Sequence, residues 1–139
     1  MSRNVLINCK KGEKELYDQI FRSRYFRDGG ASEFNYALIF ILAVAYGFNE
    51  KNFKPLRGST EWVTRREYIR KNDDLMTFLR SMVIAKTGDI SIINNDDKIF
   101  EIAESFANGG IHRLHHALLN KHSPDFDKIL EGLLNKGKN

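Results

Sequence analysis

Basic side chains are interleaved with aromatic ones in two stretches of this chain, and this combination is suited to binding nucleic acid. The stretches are residues 22–27 and residues 54–71. Lys and Arg neutralise phosphates, while aromatic rings stack on bases or support an arginine plane. The predicted nucleic-acid-binding residues are Arg22, Arg24, Arg27, Lys54, Arg57, Arg65, Arg66 and Arg70. No groove-reading motif stands out, so we expect contact with DNA or RNA to be directed at the backbone. The alternative is a solvated surface whose aromatic residues pack inward.

The acidic residues between positions 89 and 104 suggest a second kind of chemistry. Asp96, Asp97 and Glu101 stand close to Lys98 in the sequence, and metal-dependent nucleases need convergent carboxylates. The two aspartates also suit the start of a helix, and Glu101 suits a solvated helix face. A small metal-dependent nuclease is therefore the less favoured alternative.

The histidines and the single cysteine give weaker signals. His112 and His116 are four residues apart and share a helix face, as a metal site would need, but no carboxylate on that helix adds a third ligand. Cys9 precedes Lys10 and Lys11, whose charge favours a thiolate, but no histidine stands near it in the sequence. We predict no catalytic residue, no metal site and no cofactor.

Composition indicates a soluble globular protein. The chain has 139 residues, 42% of them hydrophobic, and a net charge of +4, which suits one domain over residues 1–139 with a disordered tail at 136–139. Residues 1–72 hold 14 Lys and Arg against 8 Asp and Glu. Either this half faces a polyanion or it attracts the acidic half within the fold. One cysteine, no visible signal peptide and no apolar run of roughly 20 residues predict a cytoplasmic protein without a membrane span.

Apolar periodicity predicts the elements that position these residues. The predicted helices are residues 13–26, 32–46, 72–86, 97–107, 110–121 and 124–135. Short strands are predicted at 5–9 and 90–93, and residues 62–69 are either a strand or an irregular turn. We therefore expect a mainly α fold: a compact single-domain helical bundle of about five to six helices with a small peripheral β element.

Helix-capping and helix-breaking residues predict where these helices begin and end. Ser32 is a predicted N-cap, and either Asn72 or Asp73 is another. Residues 28–30 are a predicted break, and Gly47 and Gly88 are predicted helix ends. Asn108-Gly109-Gly110 is expected to end one helix and begin the next at once, because Asn and Gly tolerate left-handed backbone. The helix at 32–46 is apolar on most of its circumference and is predicted to be central.

Three stretches together resemble the family called dnd system-associated protein 4. They are the apolar helix Phe34 to Gly47, the helix end Ile84 to Ile90, and Phe106-Ala107-Asn108-Gly109-Gly110-Ile111. Members accompany genes for DNA phosphorothioation, in which sulfur replaces a backbone oxygen. The resemblance implies a non-enzymatic accessory protein of a prokaryotic modification and restriction (anti-phage defence) system. It implies no catalytic residues.

The partners follow from the resemblance and the charge together. We expect DNA or other defence-system proteins to bind the basic surface. The alternative is a protein-interaction subunit or homo-oligomer without DNA contact, because the apolar central helix and the many aromatics exceed what one small core hides.

Overall fold

The computed structural model describes residues 5–27 and 33–119, and helices dominate this part of the chain. In chain order the elements are strand β1 (Leu6–Lys10), helices α1 (Lys14–Phe21), α2 (Arg24–Arg27) and α3 (Phe34–Asn49), strand β2 (Thr60–Arg65), helices α4 (Glu67–Arg70) and α5 (Asp73–Thr87), a 3₁₀-helix (Ile90–Asn94), and helix α6 (Asp96–Leu119). The predicted fold class, mainly α with a small β element, is confirmed. The predicted cap at Ser32, break at 28–30, helix at 124–135 and tail at 136–139 lie outside these residues. None of the described helices has the length and apolar character needed to cross a bilayer.

The two strands form an antiparallel pair beside α6. Asn8 lies opposite Trp62, and the register is irregular between Ile7 and Asn8. Ile7 and Cys9 are buried, as alternation along a half-buried strand requires. The backbone N–H of Asn8 donates to the carboxylate of Glu104 on α6 (2.6 Å), which ties the sheet to that helix.

Helices α3 and α6 form the centre of the fold and pack along one another. The buried residues of α3 are Ala37, Ile39, Phe40, Ile41, Ala43, Val44 and Gly47. The prediction of a buried central helix is confirmed. The predicted end of this helix lies near Gly47, and α3 ends shortly after it, at Asn49.

Glycine allows this close packing. A Cβ on Gly47 would come within 3.0 Å of the carbonyl oxygen of Phe106, and a Cβ on Gly110 would come equally close to that of Ala43. Real Cβ atoms essentially never approach backbone oxygens so closely. The backbones of α3 and α6 can meet only because these positions lack a side chain.

The helix break predicted at Asn108-Gly109-Gly110 is wrong, because α6 runs through it without interruption. Neither Gly109 nor Gly110 has a positive φ. Their missing side chains serve contact with neighbouring backbone instead of a change in chain direction.

The other predicted helix and strand boundaries agree with the structure at some positions and differ from it at others. Of the two predicted caps of α5, the structure selects Asn72, which accepts the N–H of Leu75 (3.1 Å). Gly88 ends this helix with φ of 71°, as predicted. The predicted helix over 13–26 divides into α1 and α2. The predicted strand over 90–93 is a 3₁₀-helix, because Asp89 accepts the N–H of Ser91 (3.0 Å) and begins a helical turn. The stretch 62–69 holds most of β2 and then most of α4.

Candidate nucleic-acid interface

The connection from α3 to β2 begins with a left-handed residue. Lys51 has φ of 56° and is the one non-glycine with positive φ in the described ranges 5–27 and 33–119. The N–H of Asn52 donates to the carbonyl of Gly47 (2.8 Å), and the N–H of Lys51 to that of Phe48 (3.1 Å). This is the Schellman arrangement, in which glycine is the usual left-handed residue. A lysine there is unusual, because a Cβ disfavours this backbone conformation.

The same connection is attached to α6 by three hydrogen bonds. Nδ2 of Asn52 donates to the carbonyl of Gly109 (2.7 Å), the N–H of Lys54 donates to the carbonyl of Ser105 (3.0 Å), and Nδ2 of Asn108 donates to the carbonyl of Lys54 (2.8 Å). A Cβ on Gly109 would overlap the carbonyl of Asn52. The stretch 105–109 therefore holds this connection against the core.

Residues 51–57, which we call the basic segment, present three cations to solvent. Lys51, Lys54 and Arg57 are exposed, and none of them makes an ion pair with a carboxylate in the part of the chain that the structure describes. Lys54 and Arg57 belong to the predicted set, whereas Lys51 does not. The structure thus brings these charges together on an anchored segment.

A half-open pocket of about 500 Å³ adjoins the basic segment and extends to α3, α5 and α6. Phe106, 3% exposed, meets Phe48 and Phe53 edge to face, with ring centroids 5.5 and 4.9 Å apart. Nζ of Lys86 lies 4.6 Å from the centroid of Phe53, and Lys51 also lines the pocket. The pocket, which we call the phenylalanine pocket, combines aromatic rings with two ammonium groups. Sequence reasoning missed it because its rings come from three separate parts of the chain.

Two of the predicted binding residues have structural roles. Arg66 is only 4% exposed: Nη1 pairs with Asp97 (2.8 Å), Nε donates to the carbonyl of Leu6 (3.2 Å), and the guanidinium lies 4.8 Å from the ring centroid of Phe100. Arg70 pairs with Asp96 (3.1 Å). The structure therefore corrects the placement of Arg66, because a buried guanidinium is not available to a phosphate. For these two arginines the alternative explanation applies, in which the basic and acidic halves attract each other.

The remaining predicted residues lie on other elements. Arg22 is exposed and pairs with Glu15 (3.3 Å). Arg24 follows on α2 and donates to the hydroxyl of Tyr25 (3.0 Å). Arg65 is exposed at the end of β2. Arg27 lies on α2, but its side chain is outside the described part of the chain.

The acidic residues considered for nuclease chemistry take part in separate interactions. Asp96 and Asp97 hold the two arginines, Glu101 lies 3.8 Å from Nζ of Lys98, and Asp89 caps the 3₁₀-helix. Within residues 5–27 and 33–119, no three His, Cys, Asp or Glu side chains are grouped as a metal site would require. These interactions do not bring the carboxylates into one centre.

The histidines and the cysteine take part in contacts that do not form a reactive site. Nε2 of His112 lies 2.8 Å from Oε1 of Glu13, and His115 pairs with Gln19. Burial, followed by the charges of Glu61 and Glu13, raises the pKa of the Cys9 thiol to about 12. Burial therefore opposes the thiolate form that Lys10 and Lys11 would favour.

Glu104 is the buried carboxyl group that joins α6 to β1. Burial raises its pKa to about 6 from a usual 4.5, partly opposed by the hydrogen bond from Asn8 and the charge of Arg66. The folded protein therefore holds this proton more tightly than the unfolded chain does. Stability from Glu104 is present below pH 4.5 and is lost as the pH rises through 6.

We expect Glu104→Gln to remove this pH dependence while keeping an acceptor for the Asn8 N–H. From pH 4 to pH 7 the free energy of unfolding of the variant, relative to the unaltered protein, should rise by about 2 kcal/mol. Urea unfolding followed by circular dichroism at both pH values measures this difference. Glu101→Gln, at an exposed neighbouring position, is the matched control and should show almost no change. An equal response of both variants would contradict the assignment to Glu104.

Comparison with known proteins identifies the chain by family. The family model described as DNA sulphur modification system-associated protein 4 matches residues 11–139, which confirms the resemblance found in the three sequence stretches. Neither the curated proteins nor the solved structures give a match. Since the family model covers most of the sequence, the chain belongs to the family of DNA sulphur modification system-associated protein 4.

Proposed function

We propose that this chain is a non-enzymatic accessory protein of a prokaryotic DNA sulphur modification system and that it contacts DNA through the basic segment. Its place would be the cytoplasm, in a pathway of DNA modification, restriction and defence against phage. The family description supports the association with such a system. The DNA contact is our inference from the basic segment.

A single observation carries the proposal. Lys51, Lys54 and Arg57 are exposed without ion pairs among the described residues, whereas Arg66 and Arg70 are paired with aspartates. Unpaired cations on an anchored segment can neutralise phosphates without first breaking a protein contact. The backbone of the segment is already hydrogen-bonded to α6. Binding would therefore cost little conformational entropy of the chain.

The test is binding of a fluorescently labelled DNA duplex, followed by anisotropy over a salt series. We expect the double variant Lys54→Ala/Arg57→Ala to weaken binding about tenfold at low salt and to reduce the salt slope by about two phosphate contacts. The matched control is Lys71→Ala/Lys98→Ala, which removes the same charge from lysines that lie near carboxylates. No duplex binding even at low salt, or an equal loss in the control, would refute DNA contact through this segment.

Exposed apolar side chains favour a second candidate, a protein-interaction or self-association subunit. Ile90, 72% exposed, and Ile93 stand on the same 3₁₀-helix, and Trp62 is 48% exposed. Exposed apolar groups of this kind are typical of surfaces that other proteins cover. Light scattering that gives the mass of a monomer would exclude self-association, and a pull-down with other proteins of the system would test a mixed complex.

A further inference from the structure

We propose that the phenylalanine pocket receives one unstacked nucleotide of single-stranded DNA. The base would lie against Phe48 and Phe53, and its phosphates would be held by Lys51 and Lys86. The inference deepens the proposed function and rests on it for the identity of the ligand as DNA.

The size and lining of the pocket suit a nucleotide. A volume of about 500 Å³ lies in the usual range for small-molecule sites, and such sites combine apolar walls with a few polar groups. Phe48 and Phe53 are half-buried and line the pocket, and both rest on the buried Phe106. Aromatic rings placed in this way are the usual platform for an unstacked base. Asn49 also lines the pocket, and its amide can both donate to and accept from a base edge.

The two lysines indicate an anionic ligand. Nζ of Lys86 lies over the ring of Phe53 at 4.6 Å from its centroid, so a base that stacks on this face would displace the ammonium, which would then pair with a phosphate. Lys51 stands at a left-handed position where glycine is usual. Strained residues are concentrated at binding sites, and the strain at Lys51 supports a binding role for its side chain.

The surroundings favour a nucleic acid strand over an acidic peptide. Lys54 and Arg57 continue along the basic segment beyond the pocket, as a groove that follows a phosphate backbone would require. A paired base in a duplex is stacked between its neighbours and cannot enter a pocket without leaving the stack. The pocket therefore predicts a preference for single strands, which contact by the basic segment alone does not.

The experiment compares a labelled twelve-residue oligothymidine with a duplex of the same length, using the full chain and anisotropy. We expect the single strand to bind at least about tenfold more tightly. Phe53→Leu, which keeps an apolar side chain but removes the ring, should weaken single-strand binding about tenfold and so remove the preference for the single strand over the duplex. Phe78→Leu is the matched control, because Phe78 is a partly buried phenylalanine of α5 that does not line the pocket.

Lys51→Gly tests the pocket with a variant that is not expected to destabilise the fold. Glycine suits the left-handed backbone, so the thermal midpoint should not fall, while single-strand affinity should drop about threefold or more with the loss of one phosphate contact. As a direct readout, an oligonucleotide containing 5-iododeoxyuridine should crosslink on irradiation to a peptide that contains Phe48 or Phe53.

The outcomes separate this inference from the proposed function. Equal affinity for strand and duplex, with no effect of Phe53→Leu, overturns the nucleotide pocket and leaves duplex contact through Lys54 and Arg57 intact. Preferential binding of an acidic, phenylalanine-containing peptide, weakened by Phe53→Leu, also overturns it, in favour of a protein partner. Strand binding that depends on Phe53 without any duplex binding supports the pocket and rejects duplex contact. Absence of binding to either DNA overturns both.

Discussion

Gly110→Ala should lower the free energy of unfolding by about 3 kcal/mol, although alanine is the better helix former. In an exposed helix the same change would stabilise the protein by about 1 kcal/mol. At Gly110, however, the new Cβ would overlap the carbonyl of Ala43 and the backbone nitrogen of Gly47. Both are backbone atoms of α3 and cannot turn aside, so the two central helices would have to separate. Urea unfolding followed by circular dichroism measures the effect.

Ser81→Ala, at an exposed position within α5, is the control for helix propensity and should raise the free energy of unfolding by a few tenths of a kcal/mol. If Gly110→Ala were as stable as this control, the contact between α3 and α6 described above would be wrong. Separation of the helices would also move the carbonyls of Ser105 and Gly109, to which the basic segment is bonded. We therefore expect any remaining folded variant to bind DNA less well.

Arg66→Ala should have an effect of similar size on stability, about 3 kcal/mol, for a different reason. The change removes a buried guanidinium that bonds Asp97 and the carbonyl of Leu6 and covers the ring of Phe100. Hydrogen bonds to charged groups are stronger than neutral ones, and the truncated side chain would also leave a cavity. Lysine cannot make all three contacts at once, because it lacks the planar guanidinium, so Arg66→Lys should recover only part of the loss.

The adjacent Arg65 provides a matched control for this prediction. It is exposed, and Arg65→Ala should change the free energy of unfolding by no more than about 0.5 kcal/mol. Chemical denaturation of the three variants at neutral pH gives the comparison. Equal stability of Arg65→Ala and Arg66→Ala would show that the buried arginine does not link β1 to α6.

The sequence predicted those features that depend on short stretches of chain. Asn72 and Gly88 are recognisable as helix boundaries because each acts on backbone groups within four residues of itself. The apolar character of α3 was likewise enough to predict a buried central helix. In each case the physical cause lies within the element concerned.

Features that depend on distant residues were not predictable in this way. Gly109 and Gly110 look like a helix end until the backbone that they approach is known, because φ is not visible in a sequence. Arg65 and Arg66 are indistinguishable by type, and only the fold decides which one meets Asp97. The phenylalanine pocket needs rings from positions 48, 53 and 106, which nothing local brings together.

The hydrogen bonds that attach the basic segment to α6 do not depend on its charged side chains, so these side chains can be redesigned. Its attachments to α6 use main-chain groups of Lys54 and the amides of Asn52 and Asn108, and none of them uses an ammonium or a guanidinium. The cationic side chains can therefore be replaced without breaking the hydrogen bonds that hold the backbone of the segment. Ligand preference at this edge of the molecule can be altered independently of the scaffold, and acidic or aromatic replacements at positions 54 and 57 would be carried on the same backbone.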